Sequence, residues 1–374
     1  MRGVSGADVA VYSPFAAPFY AESGGTTGGA ELQSYHLARA LAGAGLRVRH
    51  VIAPEERLHV PKDGVELVSL GPGYGAGRLA RRRAIVSALQ AADARVFVQR
   101  SAGFETGMVG AFARAKRRRF VFSSSSTADF ACDLEIARQA GTSLDHWPSR
   151  LQYRLGLRCA STIVVQTNEQ RELARTKLGI ETDVIPSFAE VVELDPRARE
   201  AFLWVGAFIE IKDPLAYVEL ARRVPEARFW MLAIDRGELW RELVARVTDE
   251  AARLPNLELL TTRPREEVLS LYARSIALVN TSRVEGFPNT FLEAWACGTP
   301  ALSLRVDPDG TIMNNGLGTV AGGSMERLAE AARTRWARRD APQDEAVRAY
   351  VRRTHHPQVV GRQWVDLIRR LLDG

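Results

Sequence analysis

The sequence predicts an α/β protein of two Rossmann-like domains, each a mostly parallel sheet covered by helices on both faces. Three observations carry this. Short apolar runs rich in β-branched residues alternate along the chain with stretches of helical periodicity. At 374 residues the chain is long enough for two cores, and 46% hydrophobic with 25% charged residues is a globular composition. A polar stretch at 190–200 then interrupts the alternation, after Pro186-Ser187, and sets a linker at about 187–200.

The first domain, residues 1–187, opens on Asp8–Ser13, read as a buried strand. A glycine-rich loop follows, ending in Gly24-Gly25-Thr26-Thr27-Gly28-Gly29-Ala30-Glu31. The next helix has Ala30, Leu37, Ala38 and Leu41 on one face and stops near Gly43 and Gly45. With a strand at 48–53 this is a βαβ opening, although the glycines do not fit G-x-G-x-x-G and so carry no dinucleotide fingerprint. Further strands are read at 65–69, 95–99, 120–123, 162–166 and 183–185. Ligands of such sheets bind beyond the C-terminal strand ends. That singles out Arg100-Ser101 and the run from Ser124 to Asp129. Taken as residues alone, Arg100 reads equally as half of a salt bridge and Asp129 as a helix cap.

In the second domain, residues 188–356, Ala201–Gly206 reads as a buried strand. A loop with Glu210 and Lys212 leads to a helix with Asp213 as N-cap and Pro214 at its first position. Strands follow at 228–232, at 257–260 (ahead of Thr261-Thr262-Arg263-Pro264) and at 276–280. Residues 284–300, V-E-G-F-P-N-T-F-L-E-A-W-A-C-G-T-P, then form a tight turn and a short helix stopped by Gly298 and Pro300. The unpaired N–H groups and dipole of such a helix start favour an anion. Glu285 before the turn and Glu293 one helical turn inside bracket it, and a phosphate pocket between hydroxyl-binding carboxylates suits a nucleotide-sugar. Thr290 with Glu293 also reads as a capping box, a purely structural role. A strand at 300–304 leads to Asp307-Pro308-Asp309-Gly310, where Pro and Gly favour a turn over a D-x-D metal motif. The tail 349–374 predicts one amphipathic helix, with Val359, Trp364, Leu367, Ile368 and Leu371 at helical spacing.

Fifty basic against 44 acidic residues give a net charge of +6, which fits an anionic substrate, a membrane surface or simply an arginine-rich composition. No basic helix interleaved with stacking aromatics supports nucleic-acid binding. Cys132, Cys159 and Cys297 are odd in number and lack metal-ligand spacing, so reduced thiols are expected. The six histidines show no metal spacing either, and His355-His356 reads as a helix-start or surface pair. No Ser-His-Asp order suggests a hydrolase. Without an apolar leader or spanning run, the expectation is a cytoplasmic protein that touches a membrane at most from its inner face. Two basic clusters, Arg78 with Arg81-Arg82-Arg83 and Lys116-Arg117-Arg118-Arg119, read either as solvated surface or as a lipid-headgroup contact. No amphipathic helix with bulky apolar residues is evident beside them.

The stretch 285–300 resembles the E-x7-E signature of family 4 retaining glycosyltransferases, glycosyl transferases group 1, which have the GT-B fold. Gly28-Gly29-Ala30-Glu31 is similar to the family's "GGAE" segment, Val205–Lys212 to "VGR…EKG", and Ile185-Pro186-Ser187 to "IPN" with Ser in place of Asn. The resemblance implies two Rossmann-like domains facing a central cleft, with a C-terminal helix at about 357–374 packed back on the first. It implies transfer of a sugar from a nucleotide-sugar, UDP-sugar being the commonest donor in the family, to a hydroxyl of a saccharide, lipid-linked or small-molecule acceptor. Configuration would be retained, with no metal and no cofactor. Carried over residue by residue, Glu293 would bind the ribose hydroxyls and Glu285 the donor sugar. The N–H groups of Gly286, Phe287, Pro288, Asn289 and Thr290 would contact sugar and phosphate. Lys212 beside Gly206 would hold the departing diphosphate, and Glu285 and Lys212 would be the catalytic pair. Arg263 falls where the nucleobase is read, Gly28 and Gly29 where donor phosphate is touched, and Glu31, Arg100 and Asp129 on the acceptor side. Ala207 stands where the family has an arginine, and losing that cation would weaken leaving-group stabilisation unless Arg263 or Arg283 replaces it. That departure leaves open a catalytically weak accessory or binding subunit of the same fold, and a GT-B nucleotide-sugar epimerase is a second alternative.

Overall fold

The computed structural model describes residues 6–21, 28–55, 63–131, 138–139, 144, 146–192, 198–234, 240–261, 263–339 and 345–374. The chain divides into two compact units, one of Met1–Leu134, Thr142–Phe188 and Pro357–Gly374, the other of Glu135–Gly141 and Ala189–His356.

The first unit runs β1 (Ala7–Tyr12), α1 (Gly29–Gly43), β2 (Val48–Ile52), β3 (Val65–Ser69), α2 (Arg78–Ala92), β4 (Ala94–Arg100) and α3 (Phe104–Ala115). It continues with β5 (Arg119–Ser123), α4 (Ala128–Ala131), α5 (Trp147–Cys159), β6 (Thr162–Val165), α6 (Asn168–Leu178) and β7 (Asp183–Val184). Its strands form a parallel sheet in the order β3-β2-β1-β4-β5-β6-β7. Val9 pairs with Val96 and Val11 with Val98 across β1 and β4, and these valines are sealed from solvent, because helices cover both faces of the sheet. Strand order reverses between β1 and β4, so the crevice for a ligand opens above their C-terminal ends.

The second unit repeats the plan: β8 (Ala201–Ala207), α7 (Pro214–Arg223), β9 (Phe229–Ile234), α8 (Arg241–Ala252), β10 (Leu257–Leu260), α9 (Arg265–Ala273) and β11 (Ser275–Asn280). Then come α10 (Asn289–Ala296), β12 (Ala301–Ser303), α11 (Thr311–Asn314), β13 (Gly318–Val320), α12 (Met325–Ala337) and α13 (Glu345–Thr354). Its parallel sheet has the order β10-β9-β8-β11-β12-β13, with the reversal between β8 and β11. Strand β13 escaped the sequence reading, since Gly-Thr-Val is three residues long and carries a glycine at φ 158°.

The tail corrects the sequence reading. Instead of one helix over 349–374 there are two, α13 and α14 (Pro357–Asp373), because Pro357 has no N–H to continue the first and is suited to start the second. The intervening His355 is no surface residue: it is 1% exposed, its ring 5.2 Å from Phe287 and 5.5 Å from Tyr350. Helix α14 packs in the first unit, where Val360, Trp364, Leu367 and Ile368 join Val9, Leu37 and Val98 in one core.

Helices α3 and α5 lie almost in backbone contact. A Cβ on Gly156 would fall 2.6 Å from the carbonyl carbon and oxygen of Thr106, so only glycine permits the approach. Among the described residues no helix is long and apolar enough to cross a membrane.

Candidate active site

The reversal point of the second unit collects the charged residues that the sequence singled out. After β8 the chain makes one 3-10 turn, Glu210–Lys212, and enters α7. After β11 it passes Thr281, Ser282 and Arg283 to Glu285. The two loops are sewn together: Arg283 N donates to Ile211 O at 2.8 Å and Thr281 Oγ1 to Lys212 O at 2.8 Å, while Trp204 Nε1 donates to Thr281 Oγ1 at 3.0 Å. This brings the Lys212 ammonium onto Glu285 Oε1, which also accepts from Ser282 Oγ at 2.6 Å. The side chains are 30% and 13% exposed respectively, so the pair is open to solvent on the lysine side.

Gly206, the penultimate residue of β8, lies under the Trp204 ring, which a Cβ would approach to 2.9 Å. Asp213 is the N-cap of α7 by position but makes no side-chain cap bond. It takes a left-handed backbone (φ 49°), and its carboxylate lies 3.3 Å from Arg305 Nη1 and 3.6 Å from Arg283 Nε. Glu210, Asp213, Pro214 and Arg283 line a cavity of about 370 Å³. A larger recess of about 970 Å³, beside β13 and α12, contains none of the candidate catalytic or binding residues that the sequence singled out.

The turn before α10 is built on its side chains. Phe287 points into the core, its ring 6.0 Å from Trp295, so it offers the site only its backbone. Pro288 is the N-cap and has no N–H, which removes it from the predicted row of donors. Asn289 and Thr290 occupy the first two helical positions, where N–H groups lack an intrahelical acceptor. The helix ends as the sequence indicates, at Gly298 with φ 73°, where Thr299 N returns to Ala294 O at 2.8 Å.

The capping box does not form. Thr290 sits inside the helix rather than at its cap, and Glu293 turns away to accept from Arg265 Nη1 at 2.9 Å and Tyr272 OH at 3.0 Å. Burial, and then the adjacent Glu293 carboxylate, push the Tyr272 phenol well up, so it stays protonated and donates. Burial likewise pushes the neighbouring Cys297 thiol up to about 12, leaving it an inert apolar filler. Arg263 is elsewhere engaged, on Glu267 at 3.0 Å along its own helix start. Asp307 accepts from Ile312 N at 2.7 Å and Met313 N at 3.4 Å, which makes its segment a turn leading into α11.

At the strand ends of the first unit the chemistry differs. Arg100 ends β4 and donates to Ser123 Oγ at 3.0 Å and Ser187 Oγ at 3.3 Å, and its Nε has no acceptor among the described residues. With its amide turned to satisfy both ends, Gln166 accepts from Arg100 Nη2 at 2.8 Å and Ser187 Oγ at 2.6 Å and donates to Ser125 O at 3.2 Å. Burial pulls the guanidinium down to about 10, against the upward pull of Asp129 and Glu31. Asp129 is not a helix cap: its Oδ2 accepts from Ser124 Oγ and Ser125 N, both at 2.9 Å, and from Ser126 N at 3.2 Å. Burial raises its carboxyl, and those three bonds together with Arg100 oppose the rise. Gly28 and Gly29 open α1, with Glu31 in its first turn, while residues 22–27 of the glycine loop lie outside the described residues.

Comparison with known proteins gives this arrangement a family. Residues 28–187 match the glycosyl transferase 4-like domain, and residues 199–337 match glycosyl transferases group 1. The chain belongs to the group 1 glycosyltransferases. Among curated proteins no sequence matches this glycosyltransferase. Solved structures share its fold across nearly the whole chain. Sucrose-phosphate synthase from Thermosynechococcus elongatus is 17% identical with a TM-score of 0.74, covering 98% of this chain and 99% of its own. HepE from Anabaena, crystallised with UDP and glucose, is 15% identical with a TM-score of 0.74, covering 97% and 99%. AviGT4, a glycosyltransferase involved in avilamycin A biosynthesis, is 19% identical with a TM-score of 0.67, covering 98% of each chain. At these identities the likeness carries the GT-B fold and nothing finer. Sequence reasoning missed Tyr272, Arg265, Ser282, Gln166 and Ser123 as partners in the glycosyltransferase's strand-end networks. No local motif marks them: Tyr272, Arg265, Gln166 and Ser123 reach their partners through sheet topology, and Ser282, three residues from Glu285, lies in a turn without a recognisable pattern.

Proposed function

We propose that this glycosyltransferase moves a sugar from a UDP-sugar to a hydroxyl of a saccharide or lipid-linked acceptor, with retention at the anomeric carbon and without a metal. The observation that carries the proposal is the Lys212–Glu285 pair at the reversal point between β8 and β11. A donor diphosphate arriving there draws the ammonium off Glu285, and the freed carboxylate takes the hydroxyls of the sugar. Glu293 exchanges Arg265 for the ribose hydroxyls while Tyr272 keeps it oriented. The N–H groups of Gly286, Phe287, Asn289 and Thr290 meet the phosphate and the sugar. Arg283, joined to Ile211 through its own N–H, supplies the second cation that Ala207 lacks, whereas Arg263 serves its own helix. Charge developing on the departing phosphate then finds fixed positive partners, which is where rate is gained.

In the reaction the bond from the anomeric carbon to the phosphate oxygen breaks and the bond to the acceptor oxygen forms on the same face. The acceptor proton passes to the leaving phosphate oxygen. At the strand ends of the first unit, Glu31 meets the acceptor, while Arg100 and Asp129 hold the floor beneath it. A UDP donor accords with HepE, whose crystal holds UDP and glucose. The test is incubation with UDP-glucose, UDP-galactose and UDP-N-acetylglucosamine against an acceptor panel, with and without a chelator. NMR of the product should show the anomeric configuration of the donor, unaffected by the chelator. An inverted product, or conversion of the donor with no acceptor present, would overturn the reading in favour of another GT-B chemistry.

A further inference from the structure

The sequence shows arginine clusters in the first unit but no apolar surface beside them, and the structure supplies one. Helix α5 buries Tyr153, Gly156 and Leu157 against its own unit. On its opposite side Trp147, Leu151 and Leu155, four residues apart, stand 69%, 51% and 49% exposed. Arg154 and Arg158 flank that row at the same spacing. Helix α2, which packs beside α3 as α5 does, shows the same pattern: Leu79 is 71% and Val86 38% exposed, with Arg82 and Arg83 between them. Neither helix contains an acidic residue, against four arginines in α2 and three in α5. The acid that α3 contributes, Glu105, is taken by Arg81 and Tyr74. Among the described residues, no hydrogen bond or ion pair engages the side chains of Arg78, Arg82, Arg83, Arg154 or Arg158.

We infer that the outer faces of α5 and α2 dock on an anionic lipid surface, with Trp147, Leu151, Leu155 and Leu79 seated in the headgroup boundary and the arginines on the phosphates. Charge decides the occupant. In a symmetric contact between two copies, the same arginine rows would meet each other without a carboxylate to separate them, which repels rather than binds. An anionic bilayer satisfies both rows together, apolar side chains inward and guanidinium groups at the phosphates. Trp147 at the helix end has the amphipathic ring that favours this depth. The Arg78–Arg83 cluster and these leucines thus sit on two helices that both pack on α3, which sequence spacing alone does not reveal because α2 and α5 are separated by two strands, α3 and α4 along the chain.

Flotation with vesicles of phosphatidylcholine and phosphatidylglycerol in roughly equal parts, against phosphatidylcholine alone, tests this directly. The full chain should float with the anionic vesicles only and be released by added salt. Leu151→Ser with Leu155→Ser, and separately Arg154→Glu with Arg158→Glu, should each cut the partition coefficient about tenfold or more. Both variants change exposed positions, and far-UV circular dichroism with UDP binding checks that they remain folded. Tryptophan emission should shift to the blue on vesicle addition, less so in Trp147→Phe. The inference is overturned if the wild type ignores anionic vesicles, or if both double variants float as it does. It is equally overturned if the leucine pair instead abolishes a dimer and leaves lipid binding unchanged.

Discussion

The two units share a topology and use it in opposite ways. At the reversal point of the second, Lys212, Glu285, Arg265 and Glu293 form ion pairs whose cations are 30% and 42% exposed, so a ligand can replace either partner without leaving a charge stranded. At the reversal point of the first, Arg100 and Asp129 are closed in by Ser123, Ser124, Ser187 and Gln166, and burial shifts both away from their charged forms. A reversal point at the corresponding place in both sheets therefore fixes where charge collects but not what it does. Exchangeable pairs suit binding, and enclosed ones suit a rigid floor.

Breaking the floor should have the largest effect. Arg100→Met strips a charged donor from the buried Ser123 Oγ, Ser187 Oγ and Gln166 amide oxygen and should cost about 2–4 kcal/mol of stability by denaturant titration. A loss under about 1 kcal/mol, with acceptor affinity gone, would make Arg100 a ligand-binding residue and erase the contrast. Next comes Lys212→Met, which should lower kcat by about 10²–10³. It should leave stability within about 1 kcal/mol, since a pair open to solvent on its lysine side contributes little.

Acid should probe the first unit through a different buried group. His50 on β2 is enclosed, its Nδ1 2.7 Å from Tyr20 OH, and burial pulls it from 6.5 down to about 3. The unfolded chain therefore takes up the proton first. Stability is full above the unfolded value and falls as pH drops through it towards about 3, by roughly 1.4 kcal/mol per pH unit. His50→Gln should flatten that slope in a pH series of melts. The smallest effect is expected at Arg263→Ala: with Glu267 as its ion-pair partner among the described residues, it should leave stability within about 0.5 kcal/mol and turnover unchanged. A large drop in UDP affinity there would return Arg263 to the donor site in place of Arg283.

Much of the fold was legible because buried parallel strands are short, apolar and bounded by turn residues, so the strand at 65–69 and that at 257–260 are read with the bounds of β3 and β10. What escaped lacked local signal. Strand β13 is too short to show a period, and the apolar spacing of 349–374 ran two helices into one, although the resemblance had set the last helix at about 357–374. The two carboxylates of the site were visible in the sequence, and the family resemblance supplied Lys212, but the partners of Glu293 were not legible. Glu293 lies 21 and 28 residues from Tyr272 and Arg265, distances that only the sheet order closes. The capping-box reading of Thr290 and Glu293 failed because Pro288 took the cap, shifting Thr290 into the helix.

The central claim is that the second unit's exchangeable carboxylates hold a nucleotide-sugar, and calorimetric titration of UDP tests it most directly. The wild type should bind UDP without added metal. Glu293→Ala, which loses charge-assisted bonds to the ribose, should bind about 10–100-fold more weakly while keeping its melting temperature within a few degrees. Equal binding by both proteins would contradict the account and leave Glu293 as a structural anchor for Arg265 and Tyr272. Absence of UDP binding by the wild type would remove the donor assignment itself.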